Sequence, residues 1–368
     1  NKVTACHSSI LGGIHNTASD SYSIILGGES NSINTLYTGS SNNFIGIGYL
    51  NIITGSSYNN TIVGGTFNNI SGSICGILPS QHNFVGGGSF NRMCLHQNSN
   101  GNTIGGGINN FIRACSDFYN NTDYFSPGNN TIGGGSSNAI YHCARHYCFL
   151  NGAEARNTIS GGAINKICFN SVSTIGGGRF NTIICNGAYN NIGGGTNNKI
   201  CTTRGSSILG GCSNCMCFST TTDTNNINNT IVGGYNNKIG MGDNCVCYNT
   251  IGGGYQNQIC CCSSYNFIHG RSNCAGGGAS TNGSDNSAIF GCSNKSCGAF
   301  NFVAGATNNT STWNYVAMLG TYGKTATNNN TLMTCCICAF GSLSKASGTF
   351  TIDHPNPKKE SEYNLKHS

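Results

Sequence analysis

Isoleucine, valine, leucine and phenylalanine fall at short intervals along this chain, punctuated by glycine pairs and asparagines. The phrase Asn-x-Ile-x-Gly-Gly-x-x-Asn-x-Ile recurs. It reads SIILGGESNSI at residues 23–33, NTIVGGTFNNI at 60–70 and NTIGGGINNFI at 102–112. It returns as NTIGGGSSNAI at 130–140, NTIVGGYNNKI at 229–239 and NTIGGGYQNQI at 249–259. A helix needs an apolar residue every three or four positions, without a glycine pair between them. Here β-branched residues such as Ile231 and Ile239 stand in short runs bounded by Gly and Asn, which predicts strand–turn–strand.

The glycine anchors lie at Gly12, Gly27, Gly64, Gly86, Gly105, Gly133, Gly161, Gly176, Gly193, Gly210, Gly233, Gly252 and Gly276. Degenerate copies read NFIGIG at residues 43–48 or end at Gly291, Gly305 and Gly320. The tightest spacing is 14 or 15 residues, and wider spacings add residues between one copy's second Ile and the next copy's Asn. A constant core with variable inserts predicts stacked coils with loops leaving one edge. The expected fold is all-β: a parallel β-solenoid or β-roll built from repeats. Glycine supplies positive φ and close approach, and Asn tolerates left-handed turns. Stacked Asn side chains are expected to bond to one another along the axis. One coil has too few apolar residues for a core, so stability sums over neighbours. A single thin solenoid looks sparsely filled, and three chains around one axis would bury the Ile rows better. That argument favours an intertwined homotrimer.

Composition narrows the functions. Only 8% of the 368 residues are charged, against 55 Gly and 4 Pro, so Asn, Ser and Thr must carry solubility. The net charge of +6 is scattered, with one tight pair at Lys358 and Lys359. A nucleic-acid groove wants a basic stripe with interleaved aromatics, so no nucleic-acid partner is expected. No apolar run is long enough to span a bilayer, and no membrane insertion is expected. The start at Asn1 rather than Met reads as a processed or trimmed end.

Cysteine is unusually frequent, at 23 residues, mostly in the inserts. Three states stay open: free thiols in a particle assembled in a reducing compartment, structural disulfides, or metal ligation. The best metal-like cluster is His142, Cys143, His146 and Cys148 in YHCARHYC, weighed against an exposed insert loop without metal. Neither a P-loop nor an HExxH sequence is present, and the glycine runs lead into strands rather than phosphate-binding helices. No cofactor is expected. Glycan hydrolysis needs paired carboxylates. The acidic candidates Asp20, Glu29, Asp117, Asp123 and Glu154 are scattered, so an enzyme is the minor expectation. Aromatics in the inserts suit contact with sugar or protein, or packing on the neighbouring coil. The contact candidates are Phe118, Tyr119, Tyr124, Phe125, His142, His146 and Tyr147. Asn-x-Thr triplets at Asn59, Asn120, Asn129, Asn228, Asn308 and Asn329 are frequent enough to arise by chance.

The pattern breaks near residue 342, where GSLSKASGTFTIDHPNPKKESEYNLKHS begins. Two parts are therefore expected: a repetitive roll over residues 1–341 and a junction over 342–368. The compact copies NSAIFGCSNKSCGAFNFVAGATNNT at residues 286–310 resemble the head repeats of trimeric autotransporter adhesins and of related phage and giant-virus fibre proteins. That resemblance implies a trimeric left-handed parallel β-roll. The tail is similar to the segment preceding an endosialidase-type intramolecular chaperone, which drives trimerisation and is released by self-cleavage. By that resemblance, Ser368 is a processing boundary, and the chaperone itself is absent from this chain. The chain departs from bacterial adhesins in being Asn-rich and Cys-rich rather than Ala-rich. The expectation is a structural fibre or spike at the virion surface. Its partners would be itself as a homotrimer, other virion proteins, and a host-surface glycan or protein. The alternatives are a capsid cement or shell protein without a receptor, and a tailspike glycan-degrading enzyme.

Overall fold

The computed structural model describes residues 1–35, 41–72, 79–96, 99–116, 128–144, 156–217, 227–240, 246–260, 263–276 and 285–335. The side chains of residues 115–116, 143–144 and 185–186 are outside that description. The chain divides into a large unit, Asn1–Met333, and a second unit, Thr334–Ser368. Of the second unit, Thr334 and Cys335 are described. The expected junction over 342–368, with Ser368, lies outside the described residues.

The large unit is a stack of coils, each laying one short strand on each of two parallel ladders. The motif half of a coil is nearly constant. In the copy at residues 229–239, Thr230–Ile231 joins one ladder and Lys238–Ile239 joins the other. Each pairs in parallel with its counterparts one coil earlier and one coil later, so Ile208, Ile231 and Ile251 align on one ladder. Met216, Ile239 and Ile259 align on the other. The Lys238–Ile239 ladder is 18-stranded, which spans about 80 Å at the usual interstrand spacing.

The variable half absorbs nearly all of the difference in coil length, and the motif half is one residue shorter only in the copies at 266–273 and 287–294. Successive coils are 14 residues apart between Ser287 and Asn301 but 28 apart between Asn102 and Asn130. Across the long coil Thr103 and Ile104 pair in register with Thr131 and Ile132, and at the short coil Ala288 and Ile289 pair with Phe302 and Val303 before a one-residue shift at Gly291. This is the predicted constant core with insertions at one place in the coil.

Both isoleucine rows point inward, and nearly every member, from Ile25 to Ile289, is fully buried within the one chain. Burying each such side chain contributes about 2 kcal/mol. The sparse filling expected from sequence is therefore not observed. Two facing rows, one from each ladder, close the core without a second chain, so core filling gives no reason for a trimer.

Asparagine does the rest. After each Gly-Gly, a buried Asn accepts at Oδ1 the backbone N–H of the equivalent Asn one coil on. The row starts with Asn16 donating to Asn1 at 3.1 Å and runs through Asn110, Asn181 and Asn237. It ends with Lys324 donating to Asn309 at 2.8 Å. A second row precedes the other strand, with Asn60, Asn83, Asn102 and Asn130 linked in the same way. Serine interrupts only this second row, at Ser23, Ser173, Ser206 and Ser287.

The difference has a steric reason. In the first row, Asn237 Nδ2 donates to Gly233 O in its own turn at 2.9 Å and to Gly254 O in the next coil at 3.0 Å. A serine hydroxyl brings one donor on a shorter arm and cannot span both carbonyls. The residue just before each buried Asn takes left-handed backbone angles, as at Phe67, Tyr248 and Asn308. An ordinary side chain there costs roughly 1–2 kcal/mol, which the amide hydrogen bonds of the next residue offset.

Candidate contact surface

The left-handed corners project side chains outward, one above another along the stack. Where consecutive corners carry aromatics, the rings stack. Phe67 lies on Phe90 at 4.9 Å and 11°. One corner column reads Tyr248, Tyr265, Asn286, Phe300 and Tyr315. In it Tyr248 stacks on Tyr265 at 5.0 Å and 6°, and Phe300 on Tyr315 at 4.9 Å and 1°. All four rings are exposed. Their separation matches the interstrand spacing, so the ladder itself sets the stack.

Stacking along the axis covers the ring faces and leaves edges and phenol oxygens outward. Sugar rings stack on aromatic faces, so these columns suit packing of neighbouring coils better than a broad glycan platform. Arginines add to the pattern: Arg271 lies over Tyr255 at 5.6 Å and Arg179 over Phe180 at 4.7 Å. These residues sit at the corners and beside them, not in the inserts where the sequence places the contact candidates. The signal that finds the corner rings, such as Phe67, Tyr248 and Phe300, is an aromatic immediately before a ladder Asn.

The outer face of the Thr230–Ile231 ladder is apolar in patches. The residue after each buried Ile points out, and Leu11, Leu26, Val63, Leu209 and Val232 are all exposed there, Leu11 at 69%. In the row of glycines beside them a methyl group would meet nothing within 4 Å at Gly12, Gly161, Gly194 and Gly210, but at Gly64 it would meet the Ile47 carbonyl oxygen. The following glycine is different. At Gly211 and Gly234, φ is +84° and +86°, and a methyl would be driven into the carbonyl oxygen of the next coil.

The residues singled out from sequence fall as follows. Phe118, Tyr119, Tyr124, Phe125, His146, Tyr147 and Cys148 lie outside the described residues. Cys143 is on the strand Ala139–Ala144. His142 is on the same strand, 2% exposed, with Nδ1–H donating to Asn170 O at 3.2 Å. It was expected on a projecting contact loop, yet it stands inside the stack, because parallel pairing with the strand Phe111–Ser116 continues past the motif. Burial, the larger effect, lowers its pKa below the usual imidazole value, and the bond to Asn170 opposes this. Among the described residues, no group of three or more His, Cys, Asp or Glu side chains is placed to hold a metal ion. No helix among them is long and apolar enough to cross a membrane.

Asp20 is buried, and its Oδ1 accepts the Thr35 N–H at 2.7 Å, the role of a structural cap. Glu29 is exposed on the strand Ile24–Glu29. Asp117, Asp123 and Glu154 are outside the described residues. The Asn-x-Thr triplets also gain a cause. In Asn59-Asn60-Thr61 the first Asn is the left-handed corner, the second is the ladder residue and Thr61 opens the strand. The triplet is a by-product of the coil.

Cysteines gather on the Lys238–Ile239 ladder. Cys260 Sγ and Cys274 Sγ are 3.7 Å apart. The Cys274 thiol donates to Cys260 and holds its pKa down to about 7, helped by Lys295 and opposed by burial. The same hydrogen bond pushes Cys274 up. No protein-family model matches this chain, and no curated protein matches it. The structure thus establishes an all-β parallel solenoid of repeated coils, an architecture consistent with fibrous and structural proteins.

Proposed function

We propose that this protein is a structural fibre or spike of a virus particle, trimeric, that attaches the particle to a host surface. The observation that carries the structural part is the pair of amide ladders. The Asn row from Asn1 to Lys324 and the isoleucine rows beside it hold every coil to the next, which makes a stiff rod. The resemblance of the compact copies at residues 286–310 to fibre and adhesin heads supports the virion assignment. The exposed apolar positions Leu11 and Leu209, each followed by a glycine with open space, favour self-association along that ladder. Three copies of a loop-bearing rod multiply weak host contacts into avidity. A cement or shell protein shares the rod and lacks the receptor. A tailspike glycan-degrading enzyme would add facing carboxylates.

Native mass spectrometry and electron microscopy of the purified chain test the assembly, and antibody labelling of intact particles tests the location. Three-chain rods and labelled projections are expected. A single-chain mass at micromolar concentration would overturn the trimer. Unlabelled particles would overturn the fibre assignment. Labelled projections that bind neither glycan arrays nor host cells would leave the cement reading in its place.

A further inference from the structure

Three sulfurs meet on the Lys238–Ile239 ladder, away from the Cys260–Cys274 pair. Cys215 and Cys217 are joined as a disulfide within the strand Cys215–Cys217. Met216 between them points into the core and is fully buried, so both sulfurs stand on the outer side. Cys201 is the direct register partner of Cys217 on the preceding coil, and their sulfurs are 3.4 Å apart. Cys217, bonded to Cys215, has no S–H to give, so the thiol in this contact is that of Cys201.

We propose that Cys201, Cys215 and Cys217 form a thiol–disulfide exchange site, which moves the bond from within one strand to between two coils. The Cys201 thiolate attacks Cys217 Sγ. The Cys201–Cys217 bond forms as the Cys215–Cys217 bond breaks, and the electron pair of the broken bond leaves on Cys215 Sγ. The proton given up by Cys201 goes to solvent, and Cys215 leaves as a thiolate. One disulfide and one thiol are present before and after, so the step consumes no oxidant.

The surroundings favour this direction. The register partners of Cys215 on both adjacent coils are lysines, Lys199 before it and Lys238 after it. Register partners share one face of the ladder, so two lysine side chains flank the departing sulfur on its own face, and positive charge there favours a thiolate leaving group. The product bond joins residues 16 apart instead of 2 apart. It therefore restrains the unfolded chain more strongly. It also ties one coil of the stack to the next, in a fold whose stability is otherwise a sum of neighbour contacts.

The sequence supplies a clean readout. Trypsin releases Cys201 alone in ICTTR, residues 200–204, while Cys212, Cys215 and Cys217 share the peptide 205–238. The intact protein, purified without reductant and held at about pH 8, is blocked with N-ethylmaleimide, digested and sequenced by fragmentation. ICTTR disulfide-linked to Cys217, with the maleimide on Cys215, is the expected result. The Cys217→Ser variant should release ICTTR unlinked, and Cys215→Ser, handled without oxygen, should also leave it unlinked. Maleimide-bearing ICTTR with the Cys215–Cys217 bond retained would overturn the proposal. So would a link to Cys212, or maleimide on all three cysteines.

Discussion

Asn237 Oδ1 accepts the backbone N–H of Asn257 at 2.9 Å and its side-chain Nδ2 at 3.1 Å. With its own Nδ2 bonded to Gly233 O and Gly254 O, the whole carboxamide is used, and all of it is buried. The same linkage repeats along the stack, so one side chain reports on the whole. Asn237→Asp keeps the shape and removes both donors, leaving a carboxylate against two carbonyl oxygens. The expected loss is about 3 kcal/mol or more in urea denaturation. An Asp variant as stable as the parent at neutral pH would mean that the ladder is ornamental.

The two glycines of one motif should behave oppositely. Gly211→Ala places a methyl into the Gly234 carbonyl oxygen at positive φ and should cost about 3 kcal/mol or more. Gly210→Ala meets open space and should change the stability of the single chain by no more than about 1 kcal/mol. Gly210→Trp should then lower the three-chain mass without unfolding the coil, as read by native mass spectrometry and circular dichroism. A trimer that tolerates Trp at this position would place its interface elsewhere.

His142 makes stability depend on pH. Its folded pKa is lowered, chiefly by burial, so the unfolded chain binds a proton that the folded chain resists. Stability from the neutral ring is fully present above the unfolded value of about 6.5 and is lost as pH falls through it towards the folded pKa. Between pH 7 and pH 5 the parent should lose more stability than His142→Gln, which cannot titrate. Equal losses in paired denaturation curves would remove His142 as the cause.

Cys260 should alkylate first among the described thiols of its cluster. Its pKa is held down to about 7 by the Cys274 thiol and Lys295, whereas Cys274 and Cys297 are raised. Iodoacetamide labelling followed by peptide mapping should show Cys260 half-maximal near pH 7. In Cys274→Ala that midpoint should rise, because the largest lowering influence is gone. A midpoint unmoved by Cys274→Ala would assign the effect to Lys295 instead.

Much of the fold was legible along the chain. Ile62 and Ile70, spaced around Gly64 and Gly65, announce two strands separated by a turn. Their repetition announces stacking, because a lone coil cannot bury them. The asparagine ladder was anticipated in kind, since Asn recurs at fixed offsets. The site was far less legible. His142 follows Tyr141 in what reads as an insert, yet the strand runs on through Ala144 and takes it inside. Strand length beyond a motif depends on the neighbouring coil, which local spacing does not contain. The aromatic corners were hidden for the same reason. Tyr248 and Tyr265 are 17 positions apart in the chain and become ring neighbours only when one coil sits on the other.

By itself, the sequence determined the repeating unit: glycine where φ is positive, asparagine where two coils share an amide, isoleucine where two ladders face. These are local demands of backbone angle and hydrogen bonding, and they are written residue by residue. Only the tertiary structure decided which side chains meet, because meeting depends on register between coils of unequal length. It set Cys201 opposite Cys217 and Lys199 opposite Cys215. It also closed the isoleucine core within one chain, since opposed rows exclude water completely at a separation that the linear pattern does not record.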